Sequence, residues 1–286
     1  MTMRSALILV FALAACDGAS GVGDGGVGGD GGGGDLAMNA NPDLVALADM
    51  SRPADLGPGV QTPRPKGTTA STLGYYEYLP PTYGLGASPL MVFLHGIAEG
   101  GDGTTQLPRV LNNGPPKLIA GGKWPSARPF VVLSPQHPDT TSCFTATEIR
   151  DFIAYALAHY TVDPKRVYLT GLSCGAIGAW NYLGTDQSKV AAAVLIAGDG
   201  NGAWAQAGCN LGQVALWAFH GDADPTVNVS GTTTPINNLL TKCPSPPRLE
   251  TKMTIYPGVG HDSWTRTYDL SAGHDIYTWM LGFQKP

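Results

Sequence analysis

Read for its hydrophobic and polar positions, the chain falls into two regimes that meet near residue 67. Beyond that point short apolar runs alternate with amphipathic ones. YYEYL (75–79) alternates moderately, whereas PLMVFLHG (89–96), PFVVLSP (129–135), RVYLTG (166–171), VAAAVLIAG (190–198) and VALWAFHG (214–221) are mainly apolar, each ending at glycine or proline. Runs this short, rich in β-branched and aromatic residues, predict strands buried on both faces, as in a parallel sheet covered by helices. A further strand is predicted in RLETKMTIYP (248–257). Between them, TATEIRDFIAYALAHY (145–160) sets Ile149, Phe152, Ile153, Ala156 and Leu157 on one helical stripe. Asp163-Pro164 predicts a turn, and SAGHDIYTWMLGFQ (271–284) a terminal helix. This alternation predicts one α/β domain over residues 67–286, with a mostly parallel sheet and helices on both faces.

The N-terminal regime has a different pattern. MTMR supplies a positive start, SALILVFALAA an apolar core too short to span a bilayer, and small residues precede Cys16. That is the layout of a secretory signal over residues 1–15. Leu13-Ala14-Ala15-Cys16 resembles the lipobox of bacterial lipoproteins, which implies cleavage before Cys16 and lipidation of that cysteine. Residues 17–66 follow with glycine, scattered aspartate and then proline, a composition that cannot bury enough apolar surface to order itself. Residues 16–66 are therefore expected to be a lipidated cysteine and a disordered tether, with an end-to-end distance of about 40 Å. The expected location is the periplasmic face or surface of a bacterial cell, with membrane contact only through the N-terminal lipid.

Composition changes this picture little. The 286-residue chain is 14% charged with a net charge of −5 and has no basic run, so nucleic acid is not an expected partner. Apart from Cys16 there are four cysteines, an even number in an exported chain. The bridge Cys209–Cys243 is favoured, since both fall in loop positions; Cys143 and Cys174 are left open between a second bridge and buried thiols. None of the spacings resembles a zinc site, and no cofactor is expected.

The chemistry follows from what lies beyond the strand ends, where ligands bind in open α/β sheets. His95-Gly96-Ile97 follows one strand, Leu172-Ser173-Cys174-Gly175 another, Asp222-Ala223-Asp224 a third and Gly258-Val259-Gly260-His261 the last. Serine, acid and histidine come in the chain order of the α/β-hydrolase triad. Gly171 and Gly175 flank Ser173 because a nucleophile elbow brings strand and helix so close that side chains there would collide. Ser173 is read as nucleophile and His261 as general base. Asp224 is taken as the acid ahead of Asp222 and Asp199. The remaining histidines are read mainly as structural: His95 and His220 shaping strand ends, His159 ending a helix, His274 near the start of the terminal helix, and His137 able to line the cleft. The oxyanion donors expected are the backbone N–H groups of Ile97 and Cys174, with Cys174 valued for size and backbone position.

The motifs PLMVFLHGIAEGGDG, NGPPKLI, FVVLSPQHP, YTVDPKRVYLTGLSCGAIGAWNYL, WAFHGDADPTVNV and YPGVGHDSWTRTYD, in this order, resemble the single-domain phospholipase/carboxylesterase-like hydrolases, distant relatives of the prolyl oligopeptidases. The resemblance implies the α/β-hydrolase fold, a triad of Ser173, Asp224 and His261, and hydrolysis of carboxylic esters. The family usually has methionine or another residue where Cys174 stands, and often tryptophan near Cys143-Phe144. Too few residues separate VAAAVLIAG from VALWAFHG for a lid domain, so an open cleft is expected. Phe144, Trp264 and Glu99 are candidates for its substrate-facing wall, with Trp204 and Asp102 considered beside them. The activity expected is that of a serine carboxylesterase acting on a small or polymeric ester. Its alternatives are a feruloyl or acetyl esterase on polysaccharide, a polyester depolymerase, or a non-catalytic surface glycan-binding lipoprotein.

Overall fold

The strands expected to be buried on both faces are indeed covered from both sides. The computed structural model describes residues 59–286; the expected signal peptide, Cys16 and most of the tether lie outside the described residues. Eight strands form one sheet: β1 (Val60–Arg64), β2 (Tyr75–Leu79), β3 (Ser88–Leu94), β4 (Val131–Pro135), β5 (Val162–Leu172), β6 (Ala192–Ile196), β7 (Ala215–Gly221) and β8 (Thr251–Tyr256). Their spatial order is β1-β2-β4-β3-β5-β6-β7-β8. The pairs β1–β2 and β2–β4 are antiparallel, and the ladder from β4 to β8 is parallel throughout.

Every residue of β3, β4, β6 and β7 is buried. Side chains that alternate along each strand feed two separate cores. On one face, Val92, Leu169 and Leu195 pack with Phe152 of α2 (Ala146–His159), Trp180 of α3 (Cys174–Thr185), Ala203 of α4 (Asn201–Ala207) and Leu239 of α5 (Ser230–Lys242). On the other, Phe93, Tyr168, Val194 and Phe219 meet Tyr268 of α6 (Trp264–Tyr268) and Tyr277 and Met280 of α7 (Ile276–Leu281). Leu118 of α1 (Gly114–Ala120) borders that second core. This is an α/β-hydrolase arrangement with helices on both faces. Among the described residues, the β6–β7 connection holds only α4 and a helical turn, Gly208–Gln213, in place of a lid.

Local signals account for several boundaries. Thr145 caps α2 by accepting from the Glu148 N–H, while the Glu148 carboxylate accepts from the Thr145 N–H, a reciprocal capping box. The terminal helix is shorter than expected, because Asp275 accepts from the Tyr277 and Thr278 N–H groups and so starts α7 after the turn at 271–274. The turn expected at Asp163-Pro164 lies inside β5, where a register shift between Ser88 and Leu90 accommodates it. Proline is tolerated in a strand at such an irregularity.

The predicted boundary at residue 67 needs correction, since residues 60–64 are the edge strand β1 and belong to the sheet. Pro63 and the lack of an apolar run disguised it. Its hold on the domain is tertiary. Arg64 Nη2 donates to Glu77 Oε1 at 2.5 Å, and the Glu77 side chain on β2 is only 4% exposed. Tyr160 donates to the other Glu77 oxygen at 2.5 Å, and the Tyr75 hydroxyl meets those of Tyr155 and Tyr160. Burial and its neighbours push the Tyr75 pKa up to about 12, and Tyr160 is raised as well, first by burial and then by its bond to Glu77. A buried carboxylate without its cation is strongly destabilising. Arg64→Met is therefore expected to lower stability by roughly 1–3 kcal/mol, and to cost much less in a Glu77→Gln background. Urea unfolding of the four proteins in a double-mutant cycle checks this; equal losses in both backgrounds would show that the pair is not coupled.

Candidate active site

Three strand ends and one tight turn build the site. At the β5–α3 junction Ser173 has φ 51° and ψ −121°, outside the regions open to ordinary L-residues. Such a conformation costs on the order of 1–3 kcal/mol and persists only where the surroundings enforce it. Two glycines make that enforcement possible. A side chain at Gly175 would run into the carbonyls of Leu94 and His95 at the end of β3, and one at Gly171 would lie 2.7 Å from the Gly175 backbone. The Ser173 N–H donates to Ile196 O of β6 at 2.8 Å, which fixes the turn against its other neighbour.

Ser173 Oγ lies 2.8 Å from His261 Nε2, and His261 Nδ1 lies 2.7 Å from Asp224 Oδ2. A carboxylate only accepts, so Nδ1 carries the proton and Nε2 is left to accept from the serine hydroxyl. The structure thus brings Ser173, His261 and Asp224 into one hydrogen-bonded line. The other two acids lie elsewhere: Asp222 accepts from the Gly258 N–H at 2.6 Å, and Asp199 accepts from the Asn201 N–H at 2.9 Å.

Asp224 is more elaborately held than its motif suggests. Oδ1 accepts from the Thr226 and Val227 N–H groups, and Oδ2 also faces His220 Nε2 at 3.1 Å. That nitrogen lies 3.0 Å from Val227 O, a pure acceptor, so it is a donor, and His220 Nδ1 accepts from Thr232 Oγ1 at 2.8 Å. Burial alone would push the Asp224 carboxyl up. The bond from His261 and the two N–H groups outweigh it and hold its pKa below the ordinary value. The role expected of His220 was to shape the backbone; the signal for this one is its position at the end of β7, four residues before Asp224.

The peptide between Gly96 and Ile97 is oriented by another histidine, His95. Gly96 packs against Ser173, since a methyl group there would lie 3.7 Å from the Ser173 Cβ. The His137 N–H donates to His95 Nε2 at 2.9 Å, so His95 carries its proton on Nδ1 and gives it to Gly96 O at 2.6 Å. N–H and C=O point in opposite directions across a planar trans peptide. Pinning Gly96 O therefore aims the Ile97 N–H the other way. Ile97 opens the helical turn Ile97–Glu99 and Cys174 opens α3, so neither N–H has an intrahelical partner.

The cysteines resolve as two bridges. Cys209 pairs with Cys243, the favoured bridge, and Cys143 pairs with Cys174. Cys174 is thus more than a small residue with a useful N–H: its side chain ties the loop after β4 to the residue following Ser173. The expected substrate wall is partly corrected. Phe144 is 3% exposed, sits edge-on to His95 and His137, and covers Gly178 with its backbone. Glu99 is 4% exposed and its carboxylate is engaged by Asn113 Nδ2. His137 is buried too, its N–H bonded to the His95 ring. Asp102 is spent on its own turn, accepting from Thr104, Thr105 and Gln106, and Trp204 packs at the edge of the first core. Trp264 alone of the three wall candidates stays at the site, half-buried, its ring perpendicular to His261 at 5.0 Å. Asn113, which the sequence reading passed over, accepts from Trp264 Nε1 at 3.2 Å.

With this geometry, the sequence matches the phospholipase/carboxylesterase family over residues 84–274, and the chain belongs to that family. No curated protein matches it. Among solved structures, a thermostable esterase superposes with a TM-score of 0.61 at 23% identity, over 79% of this chain and 63% of its own. The feruloyl esterase module from Clostridium thermocellum complexed with sinapinate gives 0.54 at 16% identity, over 80% and 90%. An acylaminoacyl peptidase in complex with a chloromethyl ketone gives 0.53 at 10% identity, over 83% of this chain but 42% of its own. This chain therefore spans less than two thirds of the length of the esterase and under half of the peptidase. At these identities the likeness is one of fold.

Burial pushes the His95 pKa down from 6.5 to about 4, against the bond to Gly96 and with His137 nearby. Between those values the unfolded chain binds the proton and the folded one does not. This histidine's contribution is whole above about pH 6.5 and is lost as pH falls to 4, roughly 3 kcal/mol in all. His95→Gln should accordingly flatten the fall of the thermal midpoint between pH 6.5 and pH 4. Melting curves across that range with an unchanged slope in the variant would contradict the assignment.

Proposed function

We propose that this protein is an exported serine carboxylesterase that cleaves carboxylic ester bonds through an acyl-enzyme on Ser173. The observation that carries this reading is the unbroken line from Ser173 Oγ through His261 to the buried Asp224, with the serine at φ 51°. His261 takes the hydroxyl proton as Oγ attacks the ester carbonyl, and the Asp224 carboxylate stabilises the imidazolium that forms. The Ile97 and Cys174 N–H groups receive the developing oxyanion, each such donor being worth about 3 kcal/mol. The imidazolium then protonates the leaving alcohol. Water, deprotonated by the same histidine, attacks the acyl-enzyme, and Ser173 regains its proton.

Membership of the phospholipase/carboxylesterase family supports ester chemistry. The short β6–β7 connection supports an open cleft able to take bulky or polymeric esters. A feruloyl ester substrate is the second reading, favoured by the likeness to the feruloyl esterase module named above. The two disulfides support an oxidising compartment outside the cytoplasm. No helix among the described residues is long and apolar enough to cross a membrane. Attachment would rest on lipid at Cys16, with the following residues as a tether.

Hydrolysis of p-nitrophenyl acetate by wild type and Ser173→Ala tests the reading. A fall of at least about a thousandfold in kcat is expected. Equal rates would remove Ser173 from the mechanism, and binding of glycans without any ester turnover would favour a non-catalytic lipoprotein. In the same assay on fractionated cells, wild-type activity should sediment with membranes and that of Cys16→Ser should not; continued sedimentation of the variant would refute the lipid anchor.

A further inference from the structure

Beyond the triad, a buried carboxylate lies under the proposed oxyanion loop with no cation bonded to it among the described residues. Glu99 closes the helical turn that Ile97 opens. A methyl group on Gly96 would sit 3.1 Å from Glu99 Oε2 and 3.7 Å from the Ser173 Cβ, so this carboxylate shares the underside of the loop that faces the nucleophile. Burial pushes its pKa up, against the hydrogen bond from Asn113 and nearby backbone amides. An apolar residue would fill the same space without that desolvation cost.

What the carboxylate does is orient an amide. Asn113 Nδ2 donates to Glu99 Oε1, and Asn113 Oδ1 accepts from Trp264 Nε1 at 3.2 Å. One end of the amide meets a group that only accepts and the other a group that only donates, so its orientation has one solution. Trp264 in turn stands perpendicular to the His261 ring at 5.0 Å, at the start of α6. The chain Glu99–Asn113–Trp264 therefore runs from the oxyanion turn, across the residue preceding α1, to the flank of the general base.

We propose that Glu99, Asn113 and Trp264 are positioning residues that form a brace between the oxyanion loop and His261, an inference that rests on the triad reading above. The proton must pass from Ser173 Oγ to the leaving group through one imidazole, while the carbonyl oxygen stays on the Ile97 and Cys174 N–H groups. Catalytic groups must be held to within about 0.5 Å for this. His261 lies in the loop after β8 and is reached from outside by Trp264 alone among the wall candidates, so the brace limits how far the ring can turn away.

The test measures kcat and KM for p-nitrophenyl acetate in Asn113→Ala, Trp264→Phe and their double variant, together with Glu99→Ala and Glu99→Gln. Each of the first three should lose about tenfold or more in kcat with KM nearly unchanged. The double variant should be no worse than the poorer single, because either change breaks the same chain. Glu99→Gln keeps a carbonyl oxygen for Asn113 and should restore most of the rate that Glu99→Ala loses. Losses that multiply in the double variant, or that fall on KM alone, would overturn the brace. Trp264 is half-buried, so its Phe variant reports even if Glu99→Ala does not fold. Labelling by a fluorophosphonate separates the two claims: a wild type unlabelled at Ser173 fails the triad reading. Labelled variants that turn over at the wild-type rate fail the brace alone.

Discussion

The structure depends on one backbone contact, the approach of Gly175 at the start of α3 to the Leu94 and His95 carbonyls at the end of β3. No side chain fits there, and the contact draws three elements together at the carboxyl edge of the sheet. It presses the Ser173 turn against the loop that follows β3, where Gly96 packs against Ser173. It also explains why Ser173 holds an unfavourable backbone conformation: strand, helix and the Ile196 carbonyl leave it no other. The Cys143–Cys174 bridge secures the same junction from the β4 side.

Around that contact hydrogen bonds fix the tautomers of two histidines. His95 accepts from a backbone N–H and donates to Gly96 O. His220 donates toward Asp224 and Val227 O while accepting from Thr232. His261 stands between Asp224 and Ser173, and in the function proposed above it is the ring whose protonation changes. A rigid frame of this kind suits a reaction whose charge appears and vanishes within one cycle.

Much of this was legible in the sequence because the constraints behind it are local. A strand buried on both faces must be a continuous apolar run, and an elbow must place glycines two residues either side of its nucleophile. The parallel strands and the Ser173, Asp224 and His261 positions could be read that way. What was not legible depends on partners distant in the chain. Strand β1 carries no apolar signature, and its hold is Arg64 on Glu77, thirteen residues away. Glu99 looked like a loop charge facing substrate because nothing local reveals that Asn113 turns its carboxylate inward. Phe144 was misplaced for the same reason: the Cys143 bridge carries it under the site rather than beside it.

In the proposed mechanism, chemistry passes through a covalent intermediate on Ser173. Mixing the enzyme with a slowly deacylating p-nitrophenyl ester, quenching in acid and mapping peptides by mass spectrometry tests it most directly. One acyl group per chain is expected, on the peptide containing Ser173, formed in step with a burst of p-nitrophenol and absent from Ser173→Ala. Ester turnover with no acylated peptide, or with the acyl group on another residue, would contradict it.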